Sequence, residues 1–77
     1  MFTAEERARL AVGLKETKKV IGQGAERVYL AADAPERIAE EIKALAGAKL
    51  CTVATMRELG AMCGIDVKAS CAAVRSN

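Results

Sequence analysis

The segment Gly13-Leu14-Lys15-Glu16-Thr17-Lys18-Lys19 places cations, a carboxylate and a glycine at spacings that can do recognition chemistry. It reads as a strand running into a glycine and then opening a helix. With Lys15 at zero on a helical wheel, Glu16 falls at ~100° and Lys19 at ~40°, so the three share one face. Leu14, Thr17 and Ile21 fall at roughly 200–260°, on the opposite side. One helix thus turns an apolar stripe inward and shows two cations and a carboxylate outward. The N–H groups of its first turn add donors and a partial positive charge. Such a surface suits a ligand with both anionic oxygens and exposed N–H groups, as folded RNA has. A solvated helix face held by i,i+3 and i,i+4 charge pairs has the same pattern.

Two further places stand out. In Ile65-Asp66-Val67-Lys68, two β-branched apolar residues flank an acid between a helix end and the last strand. Leaving both in water forfeits burial, so either they tuck into the core or they form an apolar ledge for a ligand. Asp33 follows a buried strand, at the carboxyl end where α/β sheets bind ligands. Its simpler role is local hydrogen bonding at the start of the helix that contains Pro35.

These residues need a scaffold, and the chain supplies an alternating one. Thr3 and Glu6 have capping-box spacing, so a short helix begins at Thr3. Leu10-Ala11-Val12 is a short strand ending at Gly13. The charged helix follows, and Gly22 and Gly24 stop it. The apolar run Val28–Ala32 predicts a strand covered on both faces. Asp33-Ala34-Pro35 starts a helix with Ile38, Ile42 and Leu45 inward. Arg37 with Glu41, and Glu40 with Lys43, form charge pairs on its outside, and Gly47 ends it. Leu50–Val53 is a third strand. Thr55 and Glu58 cap a helix carrying Met56, Leu59, Met62 and Cys63, which Gly64 stops as a left-handed cap. Ala69–Val74 is the last strand. Strict alternation predicts an α/β layer structure with helices on both sheet faces.

Composition narrows the function classes. Seventy-seven residues make one small domain, with 52% hydrophobic residues but only one Phe, one Tyr and no Trp. The core must be built from Ala, Val, Leu, Ile and Met. Scarce aromatics argue against RNA recognition by base stacking on a sheet. A net charge of +2 is too small for non-specific coating of nucleic acid, so any such contact is local and shape-dependent. No histidine is present, which removes histidine general-base catalysis and His–metal sites. Gly22-Gln23-Gly24 follows a helix rather than a strand, so it is no dinucleotide fingerprint. Cys51, Cys63 and Cys71 lack Cys-x-x-Cys spacing and read as small buried hydrophobes, not as zinc ligands. No cofactor is expected. Charges interrupt every apolar run, so the expected location is cytoplasmic with no membrane contact.

The ordered series resembles the small bacterial members of the L7Ae/L30e ribosomal protein family, which bind kink-turn RNA. It runs through Gly13-Leu14-Lys15-Glu16-Thr17 with Lys19, Val28 to Asp33 with Pro35, Met56-Arg57-Glu58-Leu59-Gly60, and Cys63-Gly64-Ile65-Asp66-Val67. The resemblance implies a three-layer α-β-α sandwich around a small four-stranded mixed sheet. It also implies a non-catalytic, monomeric RNA-binding domain spanning 1–77. Its partner would be structured RNA with a kink-turn, ribosomal or riboswitch-type. Carried over by position, Gly13, Lys15, Glu16 and Lys19 become the principal contacts to tandem sheared G·A pairs. Glu16 would accept from base amino groups, Lys15 donate to base acceptors and Lys19 neutralise a phosphate at the bend. Ile65, Asp66 and Val67 match a loop that packs on a base turned out of the helix. Leu14, Asp33 and Lys68 complete the expected contact set. Archaeal members carry Asn where Lys15 stands, and Met56 replaces a lysine that some relatives have, with Arg57 beside it. Two rivals remain open: a protein-interaction module on the same fold, and a small enzyme using Asp33 or a cysteine.

Overall fold

A computed structural model describes residues 2–76. Its elements run α1 (Ala4–Ala8), β1 (Leu10–Val12), α2 (Leu14–Gln23), β2 (Ala25–Ala31), α3 (Glu36–Ala46), a 3-10 turn (Gly47–Lys49), β3 (Leu50–Val53), α4 (Met56–Met62) and β4 (Cys71–Arg75). The sheet order is β1-β4-β2-β3, with β4 antiparallel to both β1 and β2, and β3 parallel to β2. The mixed sheet of the α-β-α sandwich is therefore present.

Period-two alternation along the central strands divides the core between two faces. Val28, Leu30, Cys71 and Ala73 point to one face and meet Val20 of α2 and Ile42 and Ala46 of α3. Tyr29, Ala31, Ala72 and Val74 point to the other and meet Phe2, which precedes α1, and Leu59 and Cys63 of the α4 region. Both aromatic rings are consumed here: Phe2 and Tyr29 pack edge-to-face with centroids 4.9 Å apart. Small residues let the helices come close, and full burial of Ile42 or Leu59 contributes roughly 1.5–3 kcal/mol each. All three cysteines are free, Cys63 and Cys71 buried and Cys51 half-buried.

Several expectations need correction. Gly22 lies inside α2, and only Gly24 ends it. Strand β2 begins at Ala25 rather than Val28, because Glu26 and Arg27 spend their charges on partners outside the core. Glu26 pairs with Arg9, and Arg27 with Glu6. Strand β4 runs Cys71–Arg75, leaving Ala69 and Ser70 to the preceding loop. In α3 the inward stripe follows Ile38, Ala39, Ile42 and Ala46, an i,i+4 ridge that tilts away from Leu45, which is 47% exposed. Arg37 does not hold Glu41, whose carboxylate reaches Lys18 on α2 instead. Among the described residues Glu40 and Lys43 form no ion pair.

Candidate nucleic-acid interface

The sheet has one end at which four connections gather. The chain leaves β1, β2 and β3 there and enters β4 there, as the pairing directions require. Backbone bonds stitch this end together: Gly13 N–H donates to Cys71 O at 3.0 Å, Ala31 N–H to Ser70 O at 3.0 Å, and Ala32 N–H to Val53 O at 2.7 Å. The loop preceding β4 is thereby seated between the start of α2 and the end of β2.

Helix α2 starts abruptly. Gly13 adopts φ 94° and ψ 162°, a region in which a side chain would cost about 1–3 kcal/mol. A Cβ built there would meet nothing within 4 Å, so the glycine serves the turn and leaves open space ahead of the helix. Gly13 supplies no side-chain cap. By helix geometry, the N–H groups of Leu14, Lys15 and Glu16 have no intrahelical acceptor. Leu14 is half-buried, its side chain packed against the core under α2 and α3.

The wheel holds for the charged face. Thr17 and Val20 are buried while Lys15, Glu16, Lys18 and Lys19 are exposed. Lys18 is tied to Glu41. Among the described residues, Lys15, Glu16 and Lys19 enter no ion pair, so the face is not held by internal charge pairing. Lys15 and Lys19, like charges four apart, repel by a few tenths of a kcal/mol until something anionic lies between them (about 0.2–0.5).

The second part is the loop from Gly64 to Ser70. Gly64 is left-handed at φ 77°, its N–H donating to Ala61 O (3.0 Å) while Ile65 N–H donates to Gly60 O (3.1 Å). Those paired bonds form the Schellman closure of α4. At the loop's other end Ala69 N–H donates to Met56 O at 3.0 Å. Between these ties Ile65 and Val67 stand exposed, Val67 at 68%, so the pair does not tuck into the core. With Asp66, Lys68, Arg57 and Ala61 they line an open groove of about 600 Å³.

Asp33 follows β2 at the same sheet end, but its bond is not the expected one. Its Oδ1 accepts from Met56 N–H at 2.7 Å, so it caps α4 rather than the helix after Pro35. Thr55 Oγ1 accepts from Glu58 N–H at 3.0 Å, completing that helix start. Sequence reasoning also missed Arg57 and Ala61 as groove walls. Their four-residue spacing on α4, opposite buried Leu59 and Cys63, is the signal that marks them.

The structure defines an α-β-α sandwich whose distinctive chemistry lies at one end of a mixed sheet. The ribosomal protein L7Ae/L30e/S12e/Gadd45 family model matches residues 2–77, and the chain belongs to that family. It is similar to the RNA-binding protein TTE2299 of Caldanaerobacter subterraneus subsp. tengcongensis, 46% identical over 66 residues and covering 80% of each chain. It is also similar to the RNA-binding protein BH0128 of Halalkalibacterium halodurans, 36% identical over 70 residues, covering 86% of this chain and 85% of that one. The solved structure of the Giardia lamblia 15.5kD RNA binding protein shares the fold at a TM-score of 0.80 and 24% identity. That match covers 91% of this chain and 62% of the other. Family membership sets aside the small-enzyme reading. The chemistry of Cys63 points the same way: burial pushes its thiol above the ordinary value, away from reactive thiolate.

Proposed function

We propose that this chain binds RNA and holds a kinked helix of the kink-turn type. The observation that carries this reading is the joint placement, at one sheet end, of an open helix start with exposed Lys15, Glu16 and Lys19 and a loop exposing Ile65 and Val67. Cations and free N–H groups suit phosphate and base acceptors, and Glu16 suits base amino groups. The apolar loop suits the face of a base that has left the stack. With both aromatic rings buried, aliphatic contact replaces aromatic stacking. Only a bent RNA offers its groove and an extruded base together, so binding shifts the RNA population toward that state. In this assignment Gly13, Leu14, Lys15, Glu16, Lys19, Ile65, Asp66, Val67 and Lys68 face the RNA, Gly13 and Leu14 through their backbone. Asp33 serves by fixing the start of α4.

The test compares a kink-turn RNA with the same duplex after its G·A pairs are replaced by Watson–Crick pairs, at physiological salt. Binding to the replaced duplex should be about ten- to hundredfold weaker, the discrimination that one polar base contact of 1–3 kcal/mol carries. Equal affinities sink the kink-turn reading.

A further inference from the structure

The height at which the 64–70 loop presents its apolar residues must be set by whatever lies beneath it, and that is Gly60. This residue is buried on α4 and helical, so no left-handed turn requires a glycine there. A Cβ built on it would lie far inside contact distance of the Val67 carbonyl oxygen, 3.1 Å from the carbonyl carbon and 3.3 Å from Lys68 Cα. All three atoms are loop backbone, which cannot swing aside as a side-chain tip can. In place of a side chain, an α-hydrogen of Gly60 points at the Val67 oxygen, the arrangement of a weak C–H···O contact. The loop is also pinned on either side, by Ile65 N–H to Gly60 O and by Ala69 N–H to Met56 O. An added methyl group therefore lifts the middle of a strap whose ends stay fixed.

We infer that Gly60 is a positioning residue of the RNA face: its missing side chain seats the Val67–Lys68 backbone against α4 and fixes the ledge that receives an extruded base. The inference rests on the proposed RNA reading and adds the device that sets its second half. It runs against local propensity, since alanine inside a helix is ordinarily better than glycine by about 1 kcal/mol. An ordinary helical glycine behaves otherwise, and α2 provides one: Gly22 has nothing within 4 Å of a built Cβ.

The test uses Gly60→Ala and Gly22→Ala in the full chain, with three RNAs: a kink-turn, the same RNA with its extruded nucleotide made abasic, and a straight duplex. The wild type and Gly22→Ala should bind the abasic RNA about tenfold more weakly than the intact kink-turn, the loss of one base contact. Gly60→Ala should bind intact and abasic RNA alike, at or below the abasic level, because the seat of the extruded base is lost while the α2 cations are untouched. Amide shifts in free Gly60→Ala should change at 64–69 and not at 13–19. An abasic penalty that survives in Gly60→Ala with unmoved loop amides overturns the inference. Should the variant fail to fold, the wild type decides: an NOE between the α-protons of Gly60 and Lys68 is required, and its absence overturns the inference. The RNA reading fails separately, if the wild type does not distinguish the kink-turn from the straight duplex. In that event the free-protein amide shifts and the NOE still judge whether Gly60 seats the loop.

Discussion

Lys15, Glu16 and Lys19 share a face, and the proposed function gives them different tasks. A phosphate contact releases counterions whatever the sequence, whereas a carboxylate accepting from base amino groups responds only to the right bases. Lys19→Ala should therefore weaken binding to kink-turn and control duplex by the same factor and lower the salt slope by about one. Glu16→Ala should cost affinity mainly for the kink-turn, by about 1–3 kcal/mol. Titrations at several salt concentrations measure both, and equal losses on both RNAs for both variants contradict the division. Thr17 tells a different story beneath the same helix. Its hydroxyl is fully buried without a hydrogen-bond partner among the described residues, and its spacing marked it as inward. Thr17→Val keeps the shape and removes a desolvated hydroxyl, so denaturant unfolding should show equal or greater stability, up to about 1 kcal/mol.

At the scale of elements, the site depends on how α4 is held. Asp33 crosses from the β2–α3 connection to cap it, a bond that joins two elements far apart in the chain. Asp33→Ala should destabilise by about 1 kcal/mol, as lost helix caps do, and raise amide exchange in the first turn of α4. Unchanged exchange there contradicts the assignment. Helix α1 is fixed differently, by a reciprocal capping box between Thr3 and Glu6, with Glu6 also reaching Arg27. The Thr3 N–H bond, with the Thr3 hydroxyl and Arg27 adding to it, holds the Glu6 carboxyl below its ordinary value. A lowered folded value means stability present above the unfolded value of about 4.3 and lost as pH falls through the folded one. Glu6→Gln should flatten that acid limb in unfolding measured against pH, and an unchanged acid slope rejects it.

These elements also show what a sequence can reveal. Strands Leu10–Val12 and Leu50–Val53 and both Thr caps were legible because short-range signals decide them. The extra length of β2 was not: Glu26 and Arg27 look like loop residues until Arg9 and Glu6 arrive from elsewhere in the chain. Asp33 failed for the same reason, since its acceptor role needs α4 beside it. Leu45 was misplaced because a wheel does not know the angle at which α3 crosses the sheet. The charged face of α2 was legible from spacing alone, whereas the spacing of Arg57 and Ala61 marks only an outer face of α4, which becomes a groove wall once the loop folds beside it.

Across the whole molecule, the fold commits its apolar and aromatic residues to two thin cores and places the exposed recognition chemistry at one end of the sheet. The weak excess of positive charge, +2, makes local geometry rather than general attraction the source of selectivity. The 3-10 turn at Gly47–Lys49 precedes β3 at the opposite end, so changes there should leave RNA binding alone. The most direct measurement is an amide chemical-shift map of the full chain on adding a kink-turn RNA. Residues 13–19 and 64–69 should shift together and saturate at the same RNA ratio. Shifts confined to one of these segments, or centred on 24–27 and 47–50 at the far end, would contradict a two-part RNA face.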